Sequence, residues 1–211
     1  MNTSTSATTM TPEQRVTAVF QLLQNNSKKD RIGERIPHLD HALQAAHHAQ
    51  KDGADEEAIL AALLHDIGHL CPATEQCCDT RGKSRTACHA ADAATNARVV
   101  DHDKCGAEYL RQLGFPKKTC ELVESHVLAK RYLSSIDPTY AAGLDSFAKQ
   151  SLKLQGGPLS PTEMREFEKD PLFKQKVQLR KWDEAAKVPG AKSPTLDTYR
   201  DMAIRSLKLV I

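Results

Sequence analysis

Apolar positions recur along this chain at spacings of three and four residues, the period of an amphipathic helix. Thr11-Pro12-Glu13 offers an N-cap, a first-turn proline and an early acid, and predicts a helix running to about Asn25. Leu39, Leu43 and Ala46 share one face of a second helix, 39–51. Asp55 caps a third, which carries Ile59, Leu60, Leu63 and Leu64 toward a core and should end at Gly68. Residues 104–113 and 116–133 read as helices divided by Gly114-Phe115, and 138–154 as two short helices. Gln155-Gly156-Gly157-Pro158 is a firm break, followed by helical stretches over 162–168, 171–187 and 196–207. The 71–101 stretch has weak periodicity and many small or polar residues, which predicts a long connection of the kind that often serves as a lid. No alternating strand pattern of useful length and no internal repeat is present. The expectation is an all-α domain over 11–211, preceded by a Ser/Thr-rich disordered tail over 1–10.

Composition narrows the setting. With 211 residues the chain can bury one sizeable core. A formal net charge of +2 leaves no electrostatic footprint for nucleic acid or a membrane surface. No run approaches the ~20 apolar residues of a membrane span, and residues 1–10 lack the basic start and apolar stretch of an export signal. A cytoplasmic protein with reduced thiols is expected. Four of the six cysteines, Cys71, Cys77, Cys78 and Cys88, crowd near His89 without a paired C-x2-C framework, so a mobile thiol-bearing loop is expected rather than a zinc site.

The candidate chemistry begins where the third helix ends, in Leu63-Leu64-His65-Asp66-Ile67-Gly68-His69. An unpaired carboxylate buried at the end of an apolar helix costs several kcal/mol, and a metal removes that cost. His41 lies on the Ala42-Ala45-Ala46 side of the second helix. His102 stands just before a helix, His126 on a helical face that is apolar on both sides, and Asp183 beside the lone tryptophan. Four histidines and two aspartates suit two metal ions, one aspartate bridging, and nitrogen and carboxylate donors without thiolate suit iron, manganese or a similar ion. His69, four residues beyond His65, belongs near the metals and on the substrate side. His47 and His48 read as solvated, and His38 as part of a turn after Pro37. Lys130 is one helical turn past His126, and Arg180 three residues before Asp183, so two cations converge on the centre and suit a small anionic substrate.

These residues carry a resemblance. Gly33-Glu34, Leu39-Asp40-His41-Ala42-Leu43-Gln44, the His65-Asp66 segment, Ala129-Lys130-Arg131-Tyr132-Leu133, Ser151-Leu152-Lys153-Leu154-Gln155-Gly156-Gly157-Pro158 and Leu179-Arg180-Lys181-Trp182-Asp183 together resemble the di-iron HD-domain oxygenases that cleave C–P bonds in 1-hydroxyphosphonates. The likeness covers roughly residues 20–190 and implies an HD-domain helical bundle around a dinuclear site. It implies that His41, His65 and Asp183 hold one iron, His102 and His126 the other, and Asp66 both. It further implies that Lys130, Arg180, Ser151 and Gln155 bind the phosphonate, that His69 orients it, and that Glu34 faces a substrate amino group from the lid. Two positions depart from the pattern: Arg31 stands where a lid tyrosine is common, and Ala148 where a second serine lines the anion site.

The resemblance implies a mixed-valence Fe(II)/Fe(III) pair with O2 as co-substrate, which takes the C1 hydrogen and yields phosphate and a carboxylate. A metal-dependent HD-domain phosphohydrolase acting on a phosphate ester or nucleotide is the alternative. A non-catalytic nucleotide sensor is the third reading, which the complete ligand set disfavours.

Overall fold

The computed structural model describes residues 10–25, 36–71 and 101–208. The expected lid glutamate Glu34, Arg31, the 72–100 connection and all but the last residue of the 1–10 tail lie outside these. Among the described residues there are ten α-helices and no strand.

Helix α1 (Pro12–Asn25) starts at a reciprocal cap. The Gln14 N–H donates to Thr11 Oγ1 at 3.3 Å and the Thr11 N–H to Gln14 Oε1 at 2.9 Å. Helix α2 (His38–Lys51) follows extended Pro37, so His38 is its first residue rather than part of a turn. Helix α3 (Glu56–Leu64) is capped by Asp55, which accepts from the Ala58 N–H at 3.0 Å. Every residue from Ala58 to Leu64 is buried, and a helix apolar on all sides must lie at the centre. Helices α4 (His102–Gln112) and α5 (Lys117–Ile136) form an antiparallel pair. Their joint is a left-handed Gly114, φ +79°, with the Phe115 N–H closing onto Leu110 O at 3.0 Å.

Two short helices follow as expected, α6 (Pro138–Gly143) and α7 (Ser146–Leu154). Then come α8 (Pro161–Glu168), with a full Ser160/Glu163 capping box, α9 (Phe173–Ala185) and α10 (Arg200–Lys208). Helices α2, α5, α9 and α10 all pack against α3. Leu60, Leu63, Leu64, Leu110, Leu122 and Leu179 fill the main core, each stabilising the fold by ~1.5–3 kcal/mol on full burial. A smaller cluster joins α5, α8 and α9 through Tyr132, Phe167 and Phe173, whose rings meet edge to face at 5.2–5.5 Å.

Gly68 corrects the sequence reading. Helix α3 ends at Leu64, and Gly68 sits in a following 3-10 turn, Ile67–His69, rather than capping the helix. Close approach explains the glycine. A Cβ there would lie 1.9 Å from His102 O and 2.8 Å from Gly106 N, because the first turns of α4 cross directly over it. His47 and His48 are half-buried rather than solvated. Cys71, Cys105 and Cys120 are buried, and the other three cysteines lie outside the described residues. No helix among the described residues is long and apolar enough to cross a membrane.

Candidate metal centre

The site is built at helix ends around α3. His65 and Asp66 fall between α3 and the 3-10 turn, His41 projects from α2, His102 opens α4, His126 sits mid-way along α5 and Asp183 near the end of α9. His102 was expected just before a helix; it is the helix's first residue. All six are buried.

Three of the imidazoles are locked from behind. His65 Nδ1 lies 2.8 Å from Ala62 O, His126 Nδ1 2.7 Å from Val123 O, and His41 Nδ1 2.8 Å from Ala186 O. A carbonyl can only accept, so each ring carries its proton on Nδ1 and presents a bare Nε2. These Nε2 atoms face other nitrogens: His41 and His65 are 3.0 Å apart, His102 and His126 2.8 Å apart. Two bare lone pairs as close as those of His41 and His65 demand a cation between them.

Asp66 stands between the two pairs. Its Oδ2 lies 3.3 Å from His65 Nε2 and 3.8 Å from His41 Nε2. Its Oδ1 lies 3.4 Å from His102 Nε2 and 3.6 Å from His126 Nε2. Asp183 Oδ1 closes the first cluster, 3.2 Å from His41 and 3.7 Å from His65. Donors held ~2.0–2.2 Å from a common ion are separated by about 3.0–3.5 Å, so these spacings fit ligation. His41, His65 and Asp183 form one group that could hold an ion; Asp66, His69 and His102 form another. His69 is therefore nearer the metal donors than a purely substrate-facing residue. Its ring stacks on His102 at 4.0 Å and its Nε2 is 3.9 Å from Asp66 Oδ1.

Charge points the same way. Burial pushes the His65 imidazole down, but Asp66 and Asp183 overcome it and raise its pKa to about 10. Burial, reinforced by His102 and His65, drives His126 well below its usual value. Burial alone would raise the Asp183 carboxyl, yet Arg180 and His65 hold it well below the usual range. The first cluster thus wants a positive charge, and a proton on His65 takes that place when no metal does.

A cavity of about 40 Å³ opens onto Asp66, His102, His126 and Asp183. Lys130, Ser151, Gln155 and Arg180 stand in its wall, as does Ala148. Lys130 is only 4% exposed, and its ammonium donates to Ser151 Oγ at 3.0 Å. Arg180 is 6% exposed. Its Nε donates to the Tyr140 hydroxyl at 2.8 Å, Nη1 to Asp183 Oδ2 at 2.5 Å, and Nη2 to Glu184. The cationic wall and the histidine cluster therefore share Asp183.

An HD-domain family model matches residues 38–161. Hydroxymethylphosphonate dioxygenase of Gimesia maris is 39% identical over 189 residues, 90% of this chain and 86% of that protein. The glycine-betaine-forming [1-hydroxy-2-(trimethylamino)ethyl]phosphonate dioxygenase of Leisingera caerulea is 38% identical over 174 residues, 82% of this chain and 81% of that protein. The chain belongs to the HD-domain phosphonate dioxygenase family. An uncharacterized protein, L432, of Acanthamoeba polyphaga mimivirus is 34% identical over 194 residues, 92% of this chain and 82% of that protein.

The sequence reading did not single out Lys187, which lines the cavity, or Glu184 and Tyr140, which hold Arg180 from behind. Glu184 and Lys187 follow Arg180 by four and seven residues, so helical spacing could have found them. Tyr140 arrives from α6, far away in sequence, and no spacing signals it. Phe147 and Val127 add apolar lining.

Proposed function

We propose that this protein is a mixed-valence di-iron oxygenase that uses O2 to cleave the C–P bond of a 1-hydroxyphosphonate. The observation that carries the reading is Asp66, whose two oxygens each face a separate histidine pair beside a buried cationic wall. His41, His65 and Asp183 would hold one iron, His102 and His126 the other, with Asp66 bridging. Bound there, the irons supply one-electron redox chemistry and the activation of O2.

The chain's own residues bind and orient. Lys130 and Arg180 neutralise the phosphonate, in a cavity where low water content strengthens each charge-assisted contact. Ser151 aligns the Lys130 ammonium through the 3.0 Å hydrogen bond. Gln155 hydrogen-bonds the headgroup, and Ala148 leaves that side of the wall without a hydroxyl. His69, beside Asp66 and stacked on His102, orients the substrate hydroxyl. Glu34 reads an amino or ammonium tail, and Arg31 serves the lid. The overall reaction balances with one O2 and no added reductant. The C1–H and C–P bonds break, C1 becomes the carboxylate, and phosphorus leaves as phosphate.

The test is to purify the protein without oxygen and load it with Fe(II). Hydroxymethylphosphonate, [1-hydroxy-2-(trimethylamino)ethyl]phosphonate and simple phosphate esters are then offered in turn. Phosphate release from a hydroxyphosphonate matched one to one by O2 uptake is the expected result. Phosphate released from an ester without O2 uptake would overturn it and favour the metal-dependent phosphohydrolase.

A further inference from the structure

We propose that Lys187 is a third cationic contact for the anionic headgroup and sets the preference for its doubly charged form; this rests on the phosphonate reading above. Lys187 lies two residues beyond the end of α9 and lines the same cavity as Lys130, Arg180 and Asp66. Its backbone is fixed at the metal centre, because the preceding residue, Ala186, accepts the His41 Nδ1–H at 2.8 Å. Its ammonium rests 2.7 Å from Glu184 Oε1, and its side chain is 23% exposed.

Glu184 is already committed elsewhere. Its other oxygen takes Arg180 Nη2, so one carboxylate serves two cations. Asp183 turns Oδ1 to the histidines and Oδ2 to Arg180, and Glu184 is shared by Arg180 and Lys187. Lys187 therefore adds one positive charge to the wall that Lys130 and Arg180 supply, which suits a doubly charged phosphonate better than a singly charged one. Lys130 meanwhile is pushed down to about 7, by burial first and then by Arg180, with Lys187 acting in the same direction. A headgroup anion relieves that crowding. The Lys187 stem is long and flexible, and a small rotation carries its ammonium from Glu184 to the cavity.

The experiment uses the full chain loaded with Fe(II) and held under argon, titrated calorimetrically with hydroxymethylphosphonate and with its singly charged P-monomethyl ester. In Lys187→Met the dianion should bind roughly tenfold more weakly, the loss of one partly solvated charge-assisted contact. The ester should change far less, so the preference for the dianion collapses. Lys187→Arg should restore it, and metal content should stay at the wild-type level in both variants. Wild-type affinity for both ligands in Lys187→Met overturns the inference and leaves Lys187 as a partner of Glu184 only. Loss of metal in that variant also overturns it, since Lys187 would then be holding the turn behind His41. If the wild type released phosphate in air yet the variant bound normally, the inference alone would fall. If the wild type neither bound the phosphonate nor released phosphate, the functional reading would fall with it.

Discussion

Replacing Gly68 by alanine tests how the second histidine pair is positioned. The added Cβ would sit 1.9 Å from His102 O and 2.8 Å from Gly106 N. Ordinary contact with a carbonyl oxygen needs well over 3 Å, so the start of α4 or the 3-10 turn must move by more than 1 Å. The obstructing atoms are backbone, so no side chain can rotate away. Overpacking of this kind costs about 1–3 kcal/mol, and backbone obstruction puts Gly68→Ala at the upper end. For a chain of this size that lowers the melting temperature by roughly 5–10 °C. The displacement falls on His102, whose Nε2 must stay 3.4 Å from Asp66 Oδ1 and 2.8 Å from His126 Nε2. Metal bound by the second pair should therefore weaken more than metal bound by the first. Differential scanning calorimetry with metal analysis on the same samples measures both effects. Gly143→Ala is the control: nothing lies within 4 Å of a Cβ there, and it should be neutral or slightly stabilising. A Gly68→Ala protein with the wild-type melting temperature and full metal content would refute the reasoning.

Asp66→Ala should lose at least one metal per chain, because it removes the one carboxylate among the described residues that faces both pairs; full occupancy by elemental analysis would count against bridging. Lys130→Ala and Arg180→Ala should each weaken substrate binding by ~1.5–3 kcal/mol, or about 10- to 150-fold, with the metals retained; iron loss with unchanged affinity would make these residues structural. The pH dependence follows from Lys130, whose pKa is lowered from 10.5 to about 7 by burial. Its ammonium is charged below that value and loses its proton above it, so the alkaline limb of the KM profile should rise above about 7, up to tenfold per unit, apart from any acid limb set by the phosphonate's own second ionisation. A KM profile with no break near 7, or one that persists in Lys130→Met, would contradict the assignment.

The buried histidine and aspartate cluster was legible in the sequence because these side chains sit where a polar residue is costly. His65 and Asp66 follow directly on a helix buried and apolar from Ala58 to Leu64, and His126 has apolar neighbours on both sides. The locks behind them were partly legible. His65 and His126 each donate to the carbonyl three residues earlier, a local geometry that any helical histidine can adopt. His41 instead donates to Ala186, 145 residues away, and nothing in the sequence announces that pairing. Gly68 was misread for a related reason. A glycine after an apolar helix usually supplies a left-handed end, but here the constraint is the backbone of α4, which only the folded chain brings there. The Arg180 anchors divide in the same way, with Glu184 readable from helical spacing and Tyr140 not.

The two histidine pairs therefore depend on different parts of the fold. The first is tied through Ala186 to the end of α9, the same segment that carries Arg180, Asp183, Glu184 and Lys187. Anything that moves this segment moves the cationic wall and the first cluster together. The second pair hangs on the α4–α5 hairpin and on the glycine crossing at Gly68 and Gly106, whose backbones are close enough that a Cβ on Gly106 would lie 3.0 Å from Gly68 N. Asp66 is the one donor that faces both pairs, and its backbone belongs to the turn that joins the two supports. On the proposed function, a headgroup bound by Lys130 and Arg180 would act on the first cluster through Asp183, which Arg180 contacts, and on the second through Asp66. Perturbations at the α9 end should alter substrate affinity and the first cluster in step, whereas perturbations at the glycine crossing should separate metal loss from headgroup affinity.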